Sequence, residues 1–258
     1  MTTRLTPASL TFRADGTPFC SRHDDVYHST AGALAQARYV FLRGNGLPER
    51  WRGQPAFRLI ETGFGMGINF LATWFMWRNH PHRSLTLQFV SIEKHPFSAE
   101  DLRRAHAAII DDASIQPLAD ELISAWPPLD AGVHRLTFDS GAVVLTLIFC
   151  DIADAPPLAL TLDVTVDAIY LDGFAPRKNP DMWSPATFAM LARLAAYDAT
   201  FATYTSAGLV KRALLEHGFE YRKTRGFAGK RAMLTGKRST LAADSHGNSL
   251  ARGDARCL

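Results

Sequence analysis

The sequence predicts an α/β protein built on a doubly wound, mostly parallel sheet with an antiparallel C-terminal edge. Three observations predict it. Strand-length apolar runs alternate with helical segments from residue 56 onward, a pattern that favours parallel strands joined by helical crossovers. The first strand runs into "ETGFGMGINF" (residues 61–70), a glycine-rich turn leading from strand to helix. The last two strands have no helix between them, so they are expected to pair antiparallel.

The elements follow in order. Phe57–Glu61 reads as a strand and Ile68–Asn79 as a helix. Leu85–Ile92 is the second core strand, and the next helix starts at Ser98, an N-cap with Asp101 three residues later. Ile115–Trp126 is helical in pattern and stops at Pro127-Pro128. Val133–Phe138 and Ala142–Cys150, joined around Asp139-Ser140-Gly141, predict a hairpin. Val166–Leu171 is a buried-type strand, Pro185–Tyr197 a helix and Thr200–Thr205 a strand. Leu209–His217 is a helix closed by Gly218, and Phe219–Thr224 and Arg231–Thr235 are the two final strands. Residues 1–55 hold short extended pieces and "HDDVYHS", which predict an N-terminal appendage packed on a core of residues 56–238. Residues 239–258 are rich in Ser, Ala and Gly without periodicity and are expected to be disordered.

Bulk properties narrow the function classes. With 258 residues, 47% hydrophobic and 21% charged, the chain has an ordinary globular composition. No apolar run reaches the eighteen residues of a membrane span, and Met1–Thr6 lacks the apolar region of a secretory signal. Cys20, Cys150 and Cys257 are far apart, without metal spacing or a disulfide framework, so no metal is expected and a reducing cytoplasm is. The net charge of +3 is unevenly spread. Residues 207–258 carry 11 Lys/Arg against 4 Asp/Glu, while residues 1–206 carry 17 against 21. A basic C-terminal third points to a polyanionic partner.

The glycine turn carries the first chemical signal. Dinucleotide oxidoreductases use G-x-G-x-x-G and seat a pyrophosphate on the helix N-terminus. Here an acid comes first and glycines follow at every second position: Glu61, Gly63, Gly65, Gly67. That rhythm resembles the first motif of class I (Rossmann-like) methyltransferases, which bind S-adenosyl-L-methionine. This cofactor has no phosphate; its amino-acid end carries an ammonium that a strand-end carboxylate such as Glu61 would face directly or through water. The strand Leu87–Ile92 ends in Glu93, placed for the ribose hydroxyls, and Asp151 follows Leu145–Cys150, placed for the adenine amino group. The cofactor set is completed by Phe64 and Asn69 at the turn, Lys94 beside Glu93, and Tyr27 from the N-terminal segment.

The second signal is "YLDGFAPRKNPDMW" (residues 170–183), a loop facing the reactive end of that crevice. Asp172 follows four apolar residues, and Phe174, Lys178, Asn179 and Trp183 offer polar and aromatic groups for holding a base. Trp183 is also readable as core at the start of a helix. The stretches "DDVYHS", "ARYVFLRGNGLPERW", "ETGFGMGINFL", "SIEKHP", "LDGFAPRKNPDMW" and "GKRAMLTG" together make the chain similar, over about residues 8–237, to the methyltransferase half of the MnmC family of tRNA 5-methylaminomethyl-2-thiouridine biosynthesis enzymes, which also occurs in a single-domain form. It departs from the family pattern at Met66 and Ile68, and at Ala228-Gly229 before Lys230 and Arg231.

That resemblance implies methyl transfer from S-adenosyl-L-methionine to the amino nitrogen of 5-aminomethyl-(2-thio)uridine at the tRNA wobble position. Phe64 and Asp172 match the family positions most closely tied to activity. Asp172 is the expected proton acceptor, Phe64 and Trp183 the expected walls for an everted anticodon base, and Lys211, Arg212, Lys223, Arg225, Lys230 and Arg231 the expected tRNA contacts. No second dinucleotide motif follows Gly236, so no flavin-oxidase half is expected here, and a separate enzyme would supply the aminomethyl group. The competing readings are a methyltransferase of the same fold acting on a small-molecule or protein amine, a nicotinamide oxidoreductase, and a non-catalytic RNA-binding module.

Overall fold

The computed structural model describes residues 3–162 and 165–239. Three short strands come first, β1 (Thr11–Phe12), β2 (Pro18–Cys20) and β3 (Asp25–Val26), paired as an antiparallel ribbon. A helical stretch follows: α1 (Ala33–Gln36) runs into a π-turn segment, Ala37–Leu42, and two 3-10 turns, Arg43–Asn45 and Glu49–Trp51. This departs from the expectation of extended pieces before residue 56. Val40, Phe41, Leu42 and Trp51 are all fully buried and share a core with Phe57, Leu59, Phe70 and Trp74. A helix covered on most sides carries no single apolar stripe, so its period does not stand out in sequence.

The remaining elements are β4 (Ala56–Glu61), α2 (Ile68–Asn79), β5 (Thr86–Glu93), α3 (Ala99–Ile109), α4 (Gln116–Ser124), β6 (Gly132–Phe138), β7 (Val143–Phe149), α5 (Ala155–Leu160), β8 (Val166–Tyr170), α6 (Pro185–Leu194), β9 (Ala195–Thr203), α7 (Gly208–Glu216), β10 (Phe219–Thr224) and β11 (Met233–Arg238). Among the described residues one sheet takes eight of the strands, in the order β10-β11-β9-β8-β4-β5-β7-β6. The five central strands are parallel, and β6, β11 and β10 are antiparallel to their neighbours. β7 is buried at every residue, as expected for a strand covered on both faces.

The winding reverses at β4. Its last residue, Glu61, sits opposite Ser91 of β5 on one side and Tyr170 of β8 on the other. In doubly wound sheets a crevice opens at the strand C-termini where this reversal occurs. β4, β5, β7 and β8 therefore deliver Glu61, Glu93, Asp151 and Asp172 to one edge of the sheet.

Some boundaries differ from the sequence expectation. α6 ends at Leu194 and β9 starts at Ala195, although Ala192-Arg193-Leu194-Ala195-Ala196 has helix-forming composition. Parallel pairing of Ala195 with Val166 and burial of Ala195, Ala199 and Phe201 outweigh that local preference. β11 begins at Met233 rather than Arg231, because a turn closed by the Lys230 N–H on the Phe227 carbonyl occupies the preceding residues. α5, with Pro156 and Pro157 in its first turn, is an additional helix. Of the expected disordered tail, only Ser239 lies within the described residues; it bonds Gly218 and Glu220.

The antiparallel edge rests on a close approach at Gly236. A Cβ there would lie 1.9 Å from the Glu220 carbonyl oxygen and 2.5 Å from the Phe201 ring. Gly236→Ala is therefore expected to cost about 1–3 kcal/mol through overpacking, read as a lower midpoint in chemical denaturation.

Candidate active site

The glycine turn explains its own rhythm. Gly65 and Gly67 adopt positive φ, 53° and 73°, and Gly67 precedes the first turn of α2. A Cβ on Gly67 would stand 2.7 Å from the Phe64 ring. That ring is tucked under the turn, 3% exposed, and stacked on Trp126 at 5.5 Å between centroids. Phe64 lines the cavity above the turn, and its ring also supports the turn through Trp126. Gly63 faces the Gly173 backbone, so two ligand-facing loops meet without a side chain between them.

A cavity of about 460 Å³ opens above this turn, within the size range of small-molecule sites. Gly63, Gly65, Asn69, Glu93, Asp151 and Asp172 all line it. Glu93 accepts the Gly65 N–H at 2.9 Å and the His95 N–H at 2.8 Å. Its carboxyl thus tethers the turn, while burial holds its pKa above the ordinary value. Asp151 is paired with the Lys94 ammonium and accepts the Ala153 N–H, and the lysine holds its pKa below the ordinary value. An acid-lined crevice with a backbone-tethered carboxylate suits a cationic, hydroxyl-bearing ligand. The donor set fits S-adenosyl-L-methionine, with Glu93 for hydroxyls and Asp151 for an amino group.

Glu61 does not line this cavity. It is 0% exposed and lies behind the turn, accepting the Asn69 amide at 2.8 Å and the Ser91 hydroxyl at 2.7 Å. Glu61 therefore presents no face to the cavity for direct contact, and its carboxyl sits behind Asn69. The same Asn69 nitrogen donates to Asp172 Oδ2, also at 2.8 Å, so one amide braces two carboxyls. Asp172 Oδ1 accepts the Gly173 N–H at 2.8 Å, and the Thr62 hydroxyl donates to the Asp172 carbonyl at 2.6 Å.

Burial pushes Asp172 up to about 6; it pushes Glu61 up to about 8, and the charge of Asp172 adds to that rise. At neutral pH the pair then holds one negative charge, on the cavity-facing Asp172. Both pKa values are raised on folding, so the stability these groups contribute is complete below about pH 4 and is lost as pH rises through about 6 and then 8. Glu61→Gln keeps both neighbours bonded, since the Ser91 hydroxyl can turn to accept. The expected result is a smaller fall in thermal midpoint between about pH 6 and 8 than in the unsubstituted protein.

The N-terminal ribbon forms the outer wall. His23 stacks on Phe174 at 4.6 Å, Tyr27 meets Phe174 edge-on at 5.1 Å, and Asp25 accepts the Ala175 N–H at 3.0 Å. Tyr27 lines the cavity, and burial pushes its phenol pKa up. These contacts tie residues 23–27 to the loop after β8 across some 150 positions of sequence. His23 and Asp25 lie in "HDDVYHS" and Thr62 in the glycine turn, but neither they nor Tyr204 were given a role from sequence.

Other expected site residues fall elsewhere. Trp183 is 4% exposed, and its indole donates to the Phe174 carbonyl at 2.9 Å. It is core bracing for the loop, which settles its two sequence readings and corrects its place as a base wall. Lys178 is engaged by Asp24 and Asp25 and is not among the cavity residues, while Asn179 is. The Lys230 ammonium lies 4.7 Å over the Tyr204 ring, whose hydroxyl donates to the Gly173 carbonyl at 2.8 Å. Arg231 lines a separate cavity. Among the described residues no cluster of three or more His, Cys, Asp or Glu could hold a metal, and no helix is long and apolar enough to cross a membrane.

Comparison with known proteins bears on this geometry. Residues 113–239 match the model of a family described as S-adenosyl-L-methionine-dependent methyltransferase. The chain is 61% identical over 240 residues to the tRNA 5-methylaminomethyl-2-thiouridine biosynthesis bifunctional protein MnmC of Burkholderia mallei, and 60% over 237 residues to the protein of that name from Burkholderia thailandensis. Each alignment covers 92% of this chain and 36% of the relative, so the chain spans about a third of the length of these relatives. The crystal structure of MNMC2 from Aquifex aeolicus shares the fold, with a TM-score of 0.70 at 21% identity over 91% of this chain and 70% of that one. Over 92% of its length the chain is similar to these MnmC proteins, in the part that carries the S-adenosyl-L-methionine-dependent methyltransferase match.

Proposed function

We propose that this chain methylates the amino nitrogen of 5-aminomethyl-(2-thio)uridine at the wobble position of tRNA. The observation that carries the reading is Asp172, a braced carboxylate in the cavity at the sheet's switch point, in a chain 61% identical to a protein named for that modification. S-adenosyl-L-methionine supplies a sulfonium-bound methyl group that needs no further activation. The work left to the protein is placement of the amine lone pair in line with the S–CH3 bond, within roughly 3–3.5 Å.

Glu93 holds the ribose hydroxyls, Asp151 the adenine amino group, and the backbone at Gly63 and Gly65 leaves room for the ligand. Asn69 positions Asp172, and Tyr27 closes the pocket from residues 1–55, which cap the methyltransferase domain at residues 56–238. Phe174 and Asn179 contact the substrate base. An alkylamine with a pKa near roughly 10 is mostly protonated at pH 7, and presenting its free base costs about 4 kcal/mol. Asp172 binds the ammonium and accepts its proton first, so that the free lone pair of the nitrogen is presented to the methyl donor. The tRNA anticodon stem-loop is the partner, the cytoplasm the place of work, and a separate enzyme the source of the aminomethyl group.

The test is nucleoside mass analysis of aminomethyl-bearing tRNA after incubation with the protein and cofactor. A gain of one methyl on the wobble nucleoside is expected. Unchanged nucleoside would overturn the proposal, and transfer to free amines but not to tRNA would favour a small-molecule or protein-amine methyltransferase.

A further inference from the structure

A second cavity, of about 450 Å³, is lined by Ser206, Lys211, Lys223, Thr224, Arg231 and Ala232. Topology places it at the same sheet edge as the active site. β9 ends at Thr203, β10 ends at Thr224, and β11 begins at Met233, where it pairs with Thr224. Ser206 lies two residues after Tyr204, whose hydroxyl bonds the Gly173 carbonyl of the Asp172 loop, and Arg231 follows Lys230, which packs over the Tyr204 ring. Two residues span at most about 7 Å of chain, so the two cavities are neighbours.

Three features of this cavity point to one chemistry. Among the described residues, Lys211, Lys223 and Arg231 have no carboxylate within ion-pair distance, since the ion pairs present involve other side chains. The Thr224 hydroxyl is buried without a hydrogen-bond partner, and such a group costs about 1–3 kcal/mol unless something satisfies it. Helix α7, nine residues long, begins two residues after Ser206 with no side-chain cap on its first turn, and its Lys211 lines the cavity. Unneutralised cations, an orphan hydroxyl and a helix N-terminus together match an oxyanion with several acceptor oxygens.

We infer that this cavity is a phosphate cradle that holds one backbone phosphodiester of the substrate RNA beside the nucleotide entering the active site. The inference rests on the tRNA reading above and adds to it: a defined seat, rather than a diffuse basic surface, fixes the register of the RNA. Lys211, Lys223 and Arg231 supply charge, and the Ser206 and Thr224 hydroxyls donate to the phosphate oxygens. A free phosphate ion shares this chemistry, and the experiment separates the two sources.

Binding of a fluorescent anticodon stem-loop by the full chain is measured against salt, with methyl transfer to aminomethyl-tRNA measured in parallel. The double variant Lys211→Ala/Lys223→Ala is expected to weaken binding on the order of 10–100-fold and, with one phosphate no longer neutralised, to flatten the slope of log K against log salt by about 0.7–0.9. It should raise KM for tRNA while leaving kcat within a few-fold. Thr224→Val is the sharper probe, because it removes the orphan hydroxyl: thermal stability should hold or rise while RNA affinity falls several-fold. Arg193→Ala, in the last turn of α6, should change neither. Inorganic phosphate should compete with the stem-loop only at concentrations far above that of the RNA; tight binding of phosphate with no effect of the variants on RNA would assign the cavity to a free anion and overturn the inference. Variants that bind RNA with unchanged affinity and salt slope would also overturn it. Failure of the unsubstituted protein to methylate bound tRNA would instead strike the proposed function.

Discussion

Asp172→Asn is expected to lower kcat by about 10²–10⁴-fold while leaving cofactor affinity within a few-fold. The substitution keeps the shape of the side chain and its bond to the Gly173 N–H, so the loop after β8 should hold. What it removes is the negative charge that the cavity presents to an ammonium and the acceptor for its proton. The pH profile separates this role from a structural one. Because burial raises Asp172 to about 6, the carboxyl is protonated below that pH and ionised above it. The rate of the unsubstituted enzyme should therefore fall as pH drops below about 6, and that limb should vanish in the Asn variant. Single-turnover methylation proceeding undiminished in Asp172→Asn would remove the carboxylate from the mechanism.

Glu93→Ala should weaken cofactor binding on the order of 100-fold or more, measured by titration calorimetry. The carboxyl accepts two backbone N–H groups, from Gly65 and His95, and its remaining lone pairs face the cavity. Charge-assisted hydrogen bonds contribute about 1.5–3 kcal/mol each, so loss of two to ribose hydroxyls accounts for the expected drop. The turn also loses its anchor, so the thermal midpoint should fall. Glu93→Gln retains one acceptor oxygen and should give an intermediate affinity with a smaller loss of stability. At saturating cofactor, kcat should stay within a few-fold in both variants, since among the described residues no hydrogen bond joins Glu93 to Asp172 or its bracing residues. A dissociation constant for Glu93→Ala within twofold of the unsubstituted value would exclude Glu93 as a ligand.

The two sets of effects differ because the acids differ in what lies behind them. Glu93 leans on the backbone of the turn it helps shape. Asp172 leans, through Asn69, on Glu61, a second carboxyl with no solvent contact. The charge in the cavity sits on Asp172, and together with burial it keeps the carboxyl behind Asn69 protonated.

Local chemistry in the sequence was enough to place most of this protein. Alternation of apolar strands with helices predicted the parallel sheet, and the acid-first glycine turn predicted the crevice. The order of Glu61, Glu93, Asp151 and Asp172 behind successive strands predicted which residues share one edge, because topology carries strand ends to a common side. Residues far apart in the chain were beyond such reasoning. Whether Glu61 faces ligand or hides behind Asn69, whether Trp183 walls a base or braces a loop, and which lysines converge with Thr224 all depend on packing between distant segments. The buried helical turns before residue 56 escaped for a related reason, since burial on most sides erases the periodicity that marks a helix. Sequence determines which chemical groups arrive at the sheet edge; tertiary packing decides which of them meet a ligand and which support the others, because burial and hydrogen-bond partners are properties of the folded neighbourhood.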